Sequence, residues 1–320
     1  MNIKITGTGL YLPPYIESSK ETGKLVNRSE EWIIAKTGVK ERRKSDIDVD
    51  KMGAIAGKQA LENNQKPDLI INASGVPKQT IPDTSVFFQK ELGLNDIPCF
   101  SIHGTCLSFI IALNTSASLI QSNTYKRILI ISSDRGTIGR NFNEPESSSL
   151  LGDGAAAVLI EKNNSSTKTL HYWKMNTWSQ GANLTEVRGG GTHLHPQDPK
   201  TKLEDNLFSM DGPSIYKIAR KKAYKMVINT FKETSFNRED VSWVVPHQAS
   251  LKAIDAYHEY GRFDKEKVIN IVENTGNCVA ASVPMAFVTA VKDGRINRGD
   301  LIYFIGTGAG LSMACALITY

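Results

Sequence analysis

Phe100-Ser-Ile-His-Gly-Thr-Cys-Leu-Ser-Phe-Ile-Ile-Ala-Leu113 is the stretch around which the chain is organised. Cys106 lies where a short apolar run, residues 97–102, gives way to a long helical pattern with one apolar face. Gly104 and Thr105 are small and permit a tight strand-to-helix turn. A cysteine there lies near a helix N-terminus, whose free N–H groups and positive dipole end favour the thiolate. On this stretch alone, a nucleophile and a buried apolar filler are equally good interpretations.

The overall composition is that of an ordinary globular protein of 320 residues, 40% hydrophobic and 22% charged. The formal net charge of +5 fits a mildly basic face for an acidic partner. A nucleic-acid partner is not expected, because no basic run exceeds Arg42-Arg43-Lys44 and no aromatic residues interleave with a basic stripe. A membrane location is not expected either, because no apolar stretch approaches spanning length and the N-terminus lacks a signal-peptide core.

The four cysteines contain no Cys-x-x-Cys pair and no metal-ligand spacing. Their neighbours are largely apolar or small, which predicts reduced thiols in a cytoplasmic protein and no metal site. His193 and His195 are two residues apart, but no further ligand cluster stands nearby. We therefore expect solvated loop histidines there.

Strands and helices alternate along both halves of the chain. Residues 68–74, 127–134 and 301–305 are mostly apolar, which is typical of strands buried on both faces. Because most such strands precede a crossover, we expect mixed sheets sandwiched by helices. The order of elements predicts two similar halves, 1–165 and 166–320.

Other segments carry weaker signals. A short strand is expected over residues 267–271, and the turn-rich residues 163–168 predict a linker. Residues 178–207 have no clear period and are rich in Gly, His and Pro, so we expect a long loop over a functional site. Gly7 and Gly9 do not predict a dinucleotide site, because the third glycine is missing and prolines stand where the helix should begin.

Residues 29–38 predict a helix that Ser29 caps and Gly38 ends. Trp32 and Lys36 are four positions apart and share one face of it. That pair fits stacking on a base and contact with a phosphate. Without other support, an ordinary amphipathic helix is the preferred interpretation.

Three polar residues stand at loop-to-helix transitions: Cys106, His247 and Asn277. His247 follows a predicted strand, and the alternative for it is a satisfied core histidine. Asn277 lies among small residues, and the alternative for it is a left-handed turn residue. Together they form a cysteine, histidine and asparagine set of the kind that is distant in sequence and close in an active site.

This set, with its flanking sequences, resembles the β-ketoacyl-acyl carrier protein synthase III family. The resemblance rests on Cys106 in its turn, Val245-Pro-His-Gln-Ala249, residues 274–284 and Gly308-Ala-Gly310, and it extends over the whole chain. It implies a thiolase-like, five-layered αβαβα fold. A thiolase itself should carry a second catalytic cysteine near the C-terminus, where this chain has the glycine turn.

The resemblance implies a decarboxylative Claisen condensation. Cys106 would take an acyl group from a thioester, and malonyl-acyl carrier protein would lose carbon dioxide and attack it, giving a 3-oxoacyl product. Nε2 of His247 and the amide of Asn277 would donate hydrogen bonds to the malonyl thioester oxygen. The N–H groups of Cys106 and Ala309 would form the oxyanion hole. No metal or redox cofactor is implied, and coenzyme A would be at most a product.

The resemblance also implies binding positions, several of which depart from the family pattern. Trp32 would stack on the adenine of coenzyme A, while Lys36 stands in place of an arginine. The other positions implied in substrate binding are Gly212, Ser250, Thr307 and Gly308, and those implied in docking the acidic carrier are Lys217 and Lys252. The departures leave open whether the acyl donor is carried by coenzyme A or by acyl carrier protein. They also suggest a specialised paralogue with a longer or branched acyl substrate.

Two other functions remain open. A relative that moves the acyl group to an alcohol or amine would keep Cys106 and His247 and dispense with Asn277. A non-catalytic partner subunit would need none of the three. The family is dimeric, so a homodimer is expected.

Overall fold

The computed structural model describes residues 1–63, 66–165 and 167–320. The strands in this part of the chain are β1 (Ile3–Tyr11), β2 (Tyr15–Ser18), β3 (Glu41–Lys44), β4 (Leu69–Asn72), β5 (Cys99–Ser101), β6 (Arg127–Arg135), β7 (Asp153–Lys162), β8 (Leu170–Thr177), β9 (Thr185–Glu186), β10 (Ser209–Met210), β11 (Trp243–Pro246), β12 (Leu301–Gly308) and β13 (Ser312–Thr319). The helices are α1 (Ser19–Val26), α2 (Glu30–Thr37), α3 (Val49–Leu61), α4 (Thr84–Glu91), α5 (Ser108–Gln121), α6 (Pro145–Ser148), α7 (Gly212–Lys232), α8 (Leu251–Glu259), α9 (Val272–Thr275) and α10 (Ser282–Lys292).

Two mixed sheets form the frame. The first has the strand order β1-β7-β6-β4-β5, in which β4 pairs parallel with β5 and β6 while β7 pairs antiparallel with β1 and β6. The second has the order β11-β12-β13-β8, and only β11 and β12 are parallel in it. The predicted mixed sheets are confirmed.

The helices pack in three layers around these sheets. Helices α5 and α10 share one core with facing sides of both sheets, through residues such as Phe109, Phe287 and Phe304. Helices α3 and α4 cover the outer face of the first sheet, and α7 and α8 cover the outer face of the second. The arrangement is helix, sheet, helix, sheet, helix, so the predicted five-layered αβαβα fold is confirmed.

In the second half, one strand is missing from the sequence expectations and one expected strand does not form. β8 is absent from the sequence expectations, although Leu170–Thr177 pairs with β13 along its length. Residues 267–271 form no strand, since only an isolated bridge joins Val244 and Val268. The helix after Ser29 is confirmed, because the Ser29 hydroxyl accepts from the Trp32 N–H and Gly38 ends it at φ +79°.

The first sheet is built from residues 3–162 and the second from residues 170–319. The predicted division at 165/166 falls between them, and residue 166 lies outside the described part of the chain. The division into two similar halves stays a prediction. No helix of the described ranges is long and apolar enough to cross a membrane.

Candidate active site

Cys106 stands on a tight turn between β5 and α5. Thr105 has a left-handed φ of +51°, which is uncommon for a residue with a side chain. A Cβ at Gly104 would lie 2.3 Å from Cδ1 of Ile111, so a side chain there would require the end of the Ile111 side chain to move. The N-cap of α5 is Leu107, so Cys106 comes directly before the helix, as the sequence predicts.

The electrostatics of Cys106 differ from the sequence expectation. Burial, and to a smaller extent the nearby Asp134 carboxylate, raises the pKa of the Cys106 thiol to about 12. The N–H groups of Cys106 and Ala309 act in the opposite direction, because both donate toward the sulfur. The expectation of a thiolate is therefore wrong for the free protein. Desolvation of the sulfur raises its pKa more than the N-terminus of α5 lowers it. The two N–H groups nevertheless lie where an oxyanion hole is expected.

His247 directly follows β11 and is only 5% exposed. Its N–H donates to the Ile305 carbonyl over 2.9 Å, which fixes the backbone beside β12. Burial lowers the pKa of His247 to about 4, so the imidazole is neutral at physiological pH. Nδ1 has no hydrogen-bond partner among the described residues. A proton on Nε2 avoids leaving a buried N–H unpaired, so Nε2 is the expected donor.

The shifted pKa of His247 predicts a pH-dependent loss of stability. The unfolded chain binds the imidazole proton below pH 6.5 and the folded protein only below about 4. Stability from this site is therefore complete above pH 6.5 and falls as the pH drops toward 4. We expect a loss on the order of 3 kcal/mol across that window, at 1.36 kcal/mol per pKa unit.

Urea denaturation of the wild type and of His247→Asn at pH 7 and pH 4.5 measures this loss. The variant should show the shallower decrease in the free energy of unfolding. Equal decreases in both proteins would contradict the assignment of a buried neutral imidazole.

Asn277 lies in the turn between α9 and α10, held against the segment before β7. Its N–H donates to the Leu150 carbonyl over 2.7 Å, and its carbonyl accepts from the Gly152 N–H over 3.0 Å. The side-chain Oδ1 accepts from the Val279 N–H over 2.9 Å. Because the oxygen is occupied, the Nδ2 donor points the other way, with only a long 3.5 Å contact to the Ala249 carbonyl. The amide is thus oriented to donate to a ligand.

Asp134 is a site residue that the sequence expectations miss. It is fully buried at the end of β6, and its carboxylate accepts from the N–H groups of Gly75, Val76 and Ala281 over 2.9–3.0 Å. Burial raises the pKa of Asp134 to about 7 despite these bonds. Asp134 thereby ties the loop after β4 to the turn that carries Asn277. Its signal in the sequence is a carboxylate at the end of a buried strand.

Removing this carboxylate should loosen both loops. Asp134→Ala leaves three N–H groups without their acceptor, a buried one at Ala281 and part-buried ones at Gly75 and Val76, and each unsatisfied buried group costs about 1–3 kcal/mol. We expect a loss of about 3 kcal/mol or more in urea denaturation. Asp134→Asn keeps one acceptor oxygen and should lose clearly less. An alanine variant as stable as the wild type would show that the carboxylate does not hold the loops.

A cavity of about 470 Å³ lies beside two of the three predicted catalytic residues and most of the predicted binding positions, whereas Cys106 and Ala309 are not among its described lining residues. His247 and Asn277 line it together with the predicted binding residues Lys36, Gly212, Ser250 and Thr307. Trp32 and Gly308 do not line it among the described residues. Trp32 instead lies on the α2 surface with the Arg28 guanidinium 5.4 Å from its ring. The Ser250 hydroxyl accepts from the Ala253 N–H, so it caps α8.

The predicted carrier-docking positions lie beside this cavity. Lys252 is exposed, and its Nζ is 4.7 Å from the ring centroid of Tyr216, a lining residue. Lys217 is the next residue of α7 and is also exposed. Residues 178–207 contribute nothing to the lining within the described ranges, whereas Phe208 and Met210 do. The structure therefore does not place the expected loop, residues 178–207, at this cavity.

The layered fold and the cysteine, histidine and asparagine set define a thiolase-fold enzyme. Two family models match the chain: 3-oxoacyl-[acyl-carrier-protein (ACP)] synthase III over residues 100–177 and the C-terminal model of the same name over residues 231–320. The chain belongs to the 3-oxoacyl-[acyl-carrier-protein] synthase III family of condensing enzymes.

Relatives in other organisms match over the full length. A beta-ketoacyl-[acyl-carrier-protein] synthase III of Vesicomyosocius okutanii is 34% identical, covering 99% of this chain and 98% of the relative. The Aquifex aeolicus protein of that name is 32% identical, with all of both chains covered.

Solved structures agree with this assignment. The Aquifex aeolicus 3-oxoacyl-[acyl-carrier-protein] synthase III superposes with a TM-score of 0.90 at 31% identity, covering 99% of this chain and 100% of the other. The priming beta-ketosynthase of a polyketide biosynthetic pathway superposes with a TM-score of 0.91 at 26% identity, covering 99% and 96%.

Proposed function

We propose that the protein catalyses the decarboxylative condensation of a Cys106-bound acyl group with malonyl-acyl carrier protein. The observation that carries the proposal is the orientation of Asn277. Its oxygen is held by the Val279 N–H, so its amide nitrogen faces the cavity that His247 also lines. A simple acyl transfer has no use for this second donor. The relatives' names support the same reaction.

Acyl transfer comes first. The Cys106 sulfur attacks the thioester carbon, and the N–H groups of Cys106 and Ala309 stabilise the oxyanion that forms. The carbon–sulfur bond of the donor then breaks, and the thiol proton of Cys106 ends on the departing thiol. One neutral thiol replaces another in this step. The cost of ionising Cys106, which its high pKa makes large, therefore does not enter the equilibrium of the acyl transfer.

Condensation follows when malonyl-acyl carrier protein binds. Its carboxylate leaves as carbon dioxide, and the electron pair moves into an enolate whose oxygen accepts from Nε2 of His247 and Nδ2 of Asn277. Two neutral donors suit this step, since they stabilise charge only as it develops. The enolate carbon attacks the acyl carbonyl, and the Cys106 thiolate leaves and takes up a proton from water. The steps balance without a metal ion or a redox cofactor.

The carrier is proposed to dock on the α7 and α8 side of the cavity. Lys217 and Lys252 are exposed there, and three further basic residues of α7, Lys221, Lys222 and Lys225, add to the positive charge. An acidic carrier protein complements such a face. A homodimer and a cytoplasmic location stay predictions.

The cavity also carries an acidic residue that disfavours a nucleotide-bearing donor. Glu146 lines it together with Lys36. Glu146→Gln removes a negative charge near an anionic donor, so we expect the KM for acyl-coenzyme A to fall about threefold, the size of a surface charge effect. The effect should shrink at about 0.5 M salt, a concentration at which screening acts over about 4 Å.

Steady-state kinetics at low and high salt measures this effect. Glu266→Gln makes the same change at an exposed position away from the cavity and should leave the KM unchanged. A KM that rises in Glu146→Gln would mean that the carboxylate helps to bind the donor.

Intact-protein mass spectrometry tests the proposed function. The protein is incubated with a panel of acyl-coenzyme A and acyl-carrier-protein donors, and Cys106→Ala is run beside it. We expect an adduct of acyl mass that the variant lacks, and the productive donor identifies the starter and its carrier. No adduct from any donor would overturn the proposal and favour a non-catalytic partner subunit.

A further inference from the structure

The turn that carries Cys106 is held by a buried hydroxyl group. Ser108 is the first residue of α5 and has no exposed surface. Its Oγ accepts from the Gly104 N–H over 3.0 Å and donates to the Thr105 carbonyl over 2.7 Å. One side chain, two positions after the nucleophile, therefore bonds to both residues that come directly before it.

This turn needs such support because part of its backbone is unfavourable. Thr105 has a left-handed φ of +51°, and a residue with a side chain keeps that conformation only when surrounding contacts hold it. The Thr105 hydroxyl donates to the adjacent Gly104 carbonyl over 2.8 Å and so links the turn to no other element. Two backbone bonds, from the N–H groups of Leu107 and Ser108, are 3.0 and 3.2 Å long. The Ser108 hydroxyl adds the side-chain bonds that join the turn to α5.

The same hydroxyl also connects the turn to the loop after β4. Oγ of Ser108 lies 3.2 Å from the Ser74 carbonyl oxygen. The N–H of the next residue, Gly75, donates to the Asp134 carboxylate, which also holds the turn of Asn277 through the N–H that precedes α10. Ser108 is thus the point at which the nucleophile turn meets this buried polar network.

On its other side, the nucleophile turn lies directly against β12. A Cβ at Gly308 would lie 2.6 Å from Oγ1 of Thr105. The turn is therefore in close contact with the strand that leads to Ala309, whose N–H donates toward the Cys106 sulfur. Any displacement of the turn changes where the sulfur lies relative to that N–H group.

We propose that Ser108 is a positioning residue for the nucleophile. Its hydroxyl holds the left-handed turn so that Cys106 and the N–H groups of Cys106 and Ala309 keep the geometry that acylation requires. The inference rests on the proposed function, in which Cys106 takes the acyl group. Residues 104–108 do not line the cavity within the described part of the chain, so loss of the hydroxyl should change the rate of acylation and not the binding of the donor.

Single-turnover acylation of full-length Ser108→Ala tests this inference. Acetyl-coenzyme A and octanoyl-acyl carrier protein serve as donors over a range of concentrations, and intact-protein mass measures the adduct. We expect the maximal rate of acylation to fall about 10- to 100-fold, because small misplacements of a reacting group cost that much. The half-saturating donor concentration should stay within about twofold. Ser108→Gly also lacks the hydroxyl and should act alike, so a folding defect in one variant does not decide the result.

Two other buried serines provide matched controls. Ser116 is on the same helix, and its Oγ has no hydrogen-bond partner among the described residues, so Ser116→Ala should change neither stability nor rate. Ser132 is fully buried on β6, and its Oγ donates to the Ala73 carbonyl over 2.8 Å. Ser132→Ala removes a buried bond to the loop after β4 without touching the nucleophile turn. It should lower the urea midpoint about as much as Ser108→Ala while acylation stays within about twofold of the wild type.

Three results would overturn the inference. Ser108→Ala and Ser108→Gly could acylate at the wild-type rate, or Ser132→Ala could slow acylation as much as Ser108→Ala, which would make the loss a general effect of stability. A loss confined to the half-saturating donor concentration would assign Ser108 to binding. Failure of the proposed function looks different: the wild-type protein would then form no adduct at Cys106 with any donor.

Discussion

Cys106→Ala is expected to lower kcat for condensation by about ten-thousand-fold or more, which is the scale on which removal of a catalytic nucleophile acts. The alanine keeps the tight turn, since only the sulfur is removed and Thr105 still supplies the left-handed backbone. Carrier binding should therefore persist. Measured kcat and the affinity for malonyl-acyl carrier protein separate the two effects.

Cys99→Ala is the matched control. Cys99 is half-buried on β5, seven residues before Cys106, and its sulfur lies 3.5 Å from the Gln89 amide. It contacts no residue of the proposed reaction, so kcat should stay within about twofold. Comparable losses in both variants would indicate that the cysteines act through the fold and that Cys106 is not the nucleophile.

Asn277→Ala is expected to separate the two half-reactions. Condensation should slow by about 100- to 1000-fold, the usual effect of removing one donor to a developing oxyanion. Acylation of Cys106 should continue, because its oxyanion hole is formed by the N–H groups of Cys106 and Ala309. Single-turnover acylation and steady-state condensation, measured on the same protein, give both rates.

Two controls accompany this variant. Asn274→Ala changes an exposed asparagine three residues earlier and should leave both rates unchanged. Asn277→Asp puts a carboxylate where the enolate forms and should slow condensation at least as much as alanine. If Asn277→Ala slowed acylation and condensation equally, the amide would have no specific role in stabilising the enolate.

The layers of the fold can be predicted from the sequence because strands that are buried on both faces have mostly apolar residues. Residues 69–72 and 301–306 are entirely buried, and uninterrupted apolar runs of that kind are typical of strands covered on both sides. β8 is harder to recognise, because Leu170–Thr177 is an edge strand with mostly half-buried or exposed residues. Its polar outer positions hide the pattern that the inner strands display.

Only part of the candidate active site can be predicted from the sequence, for a related reason. The types and order of Cys106, His247 and Asn277 point to their convergence, since strand ends and turns carry reactive groups. The state of the thiol does not follow from its position, because burial and the approach of Asp134 from β6 decide the pKa. The cavity beside His247 and Asn277 likewise depends on how closely α7 and α8 approach. Alanines on a helical face are equally typical of tight packing.

The most direct test of the central claim is the mass of acyl carrier protein after reaction with the enzyme, an acyl donor and malonyl-acyl carrier protein. Decarboxylative condensation predicts a 3-oxoacyl carrier protein and the release of carbon dioxide. The acyl group on the carrier should be heavier than the acyl group of the donor by a two-carbon unit. Asn277→Ala should stop at acyl-Cys106. A carrier that gains only the unextended acyl group, with malonyl-acyl carrier protein unconsumed, would contradict the account.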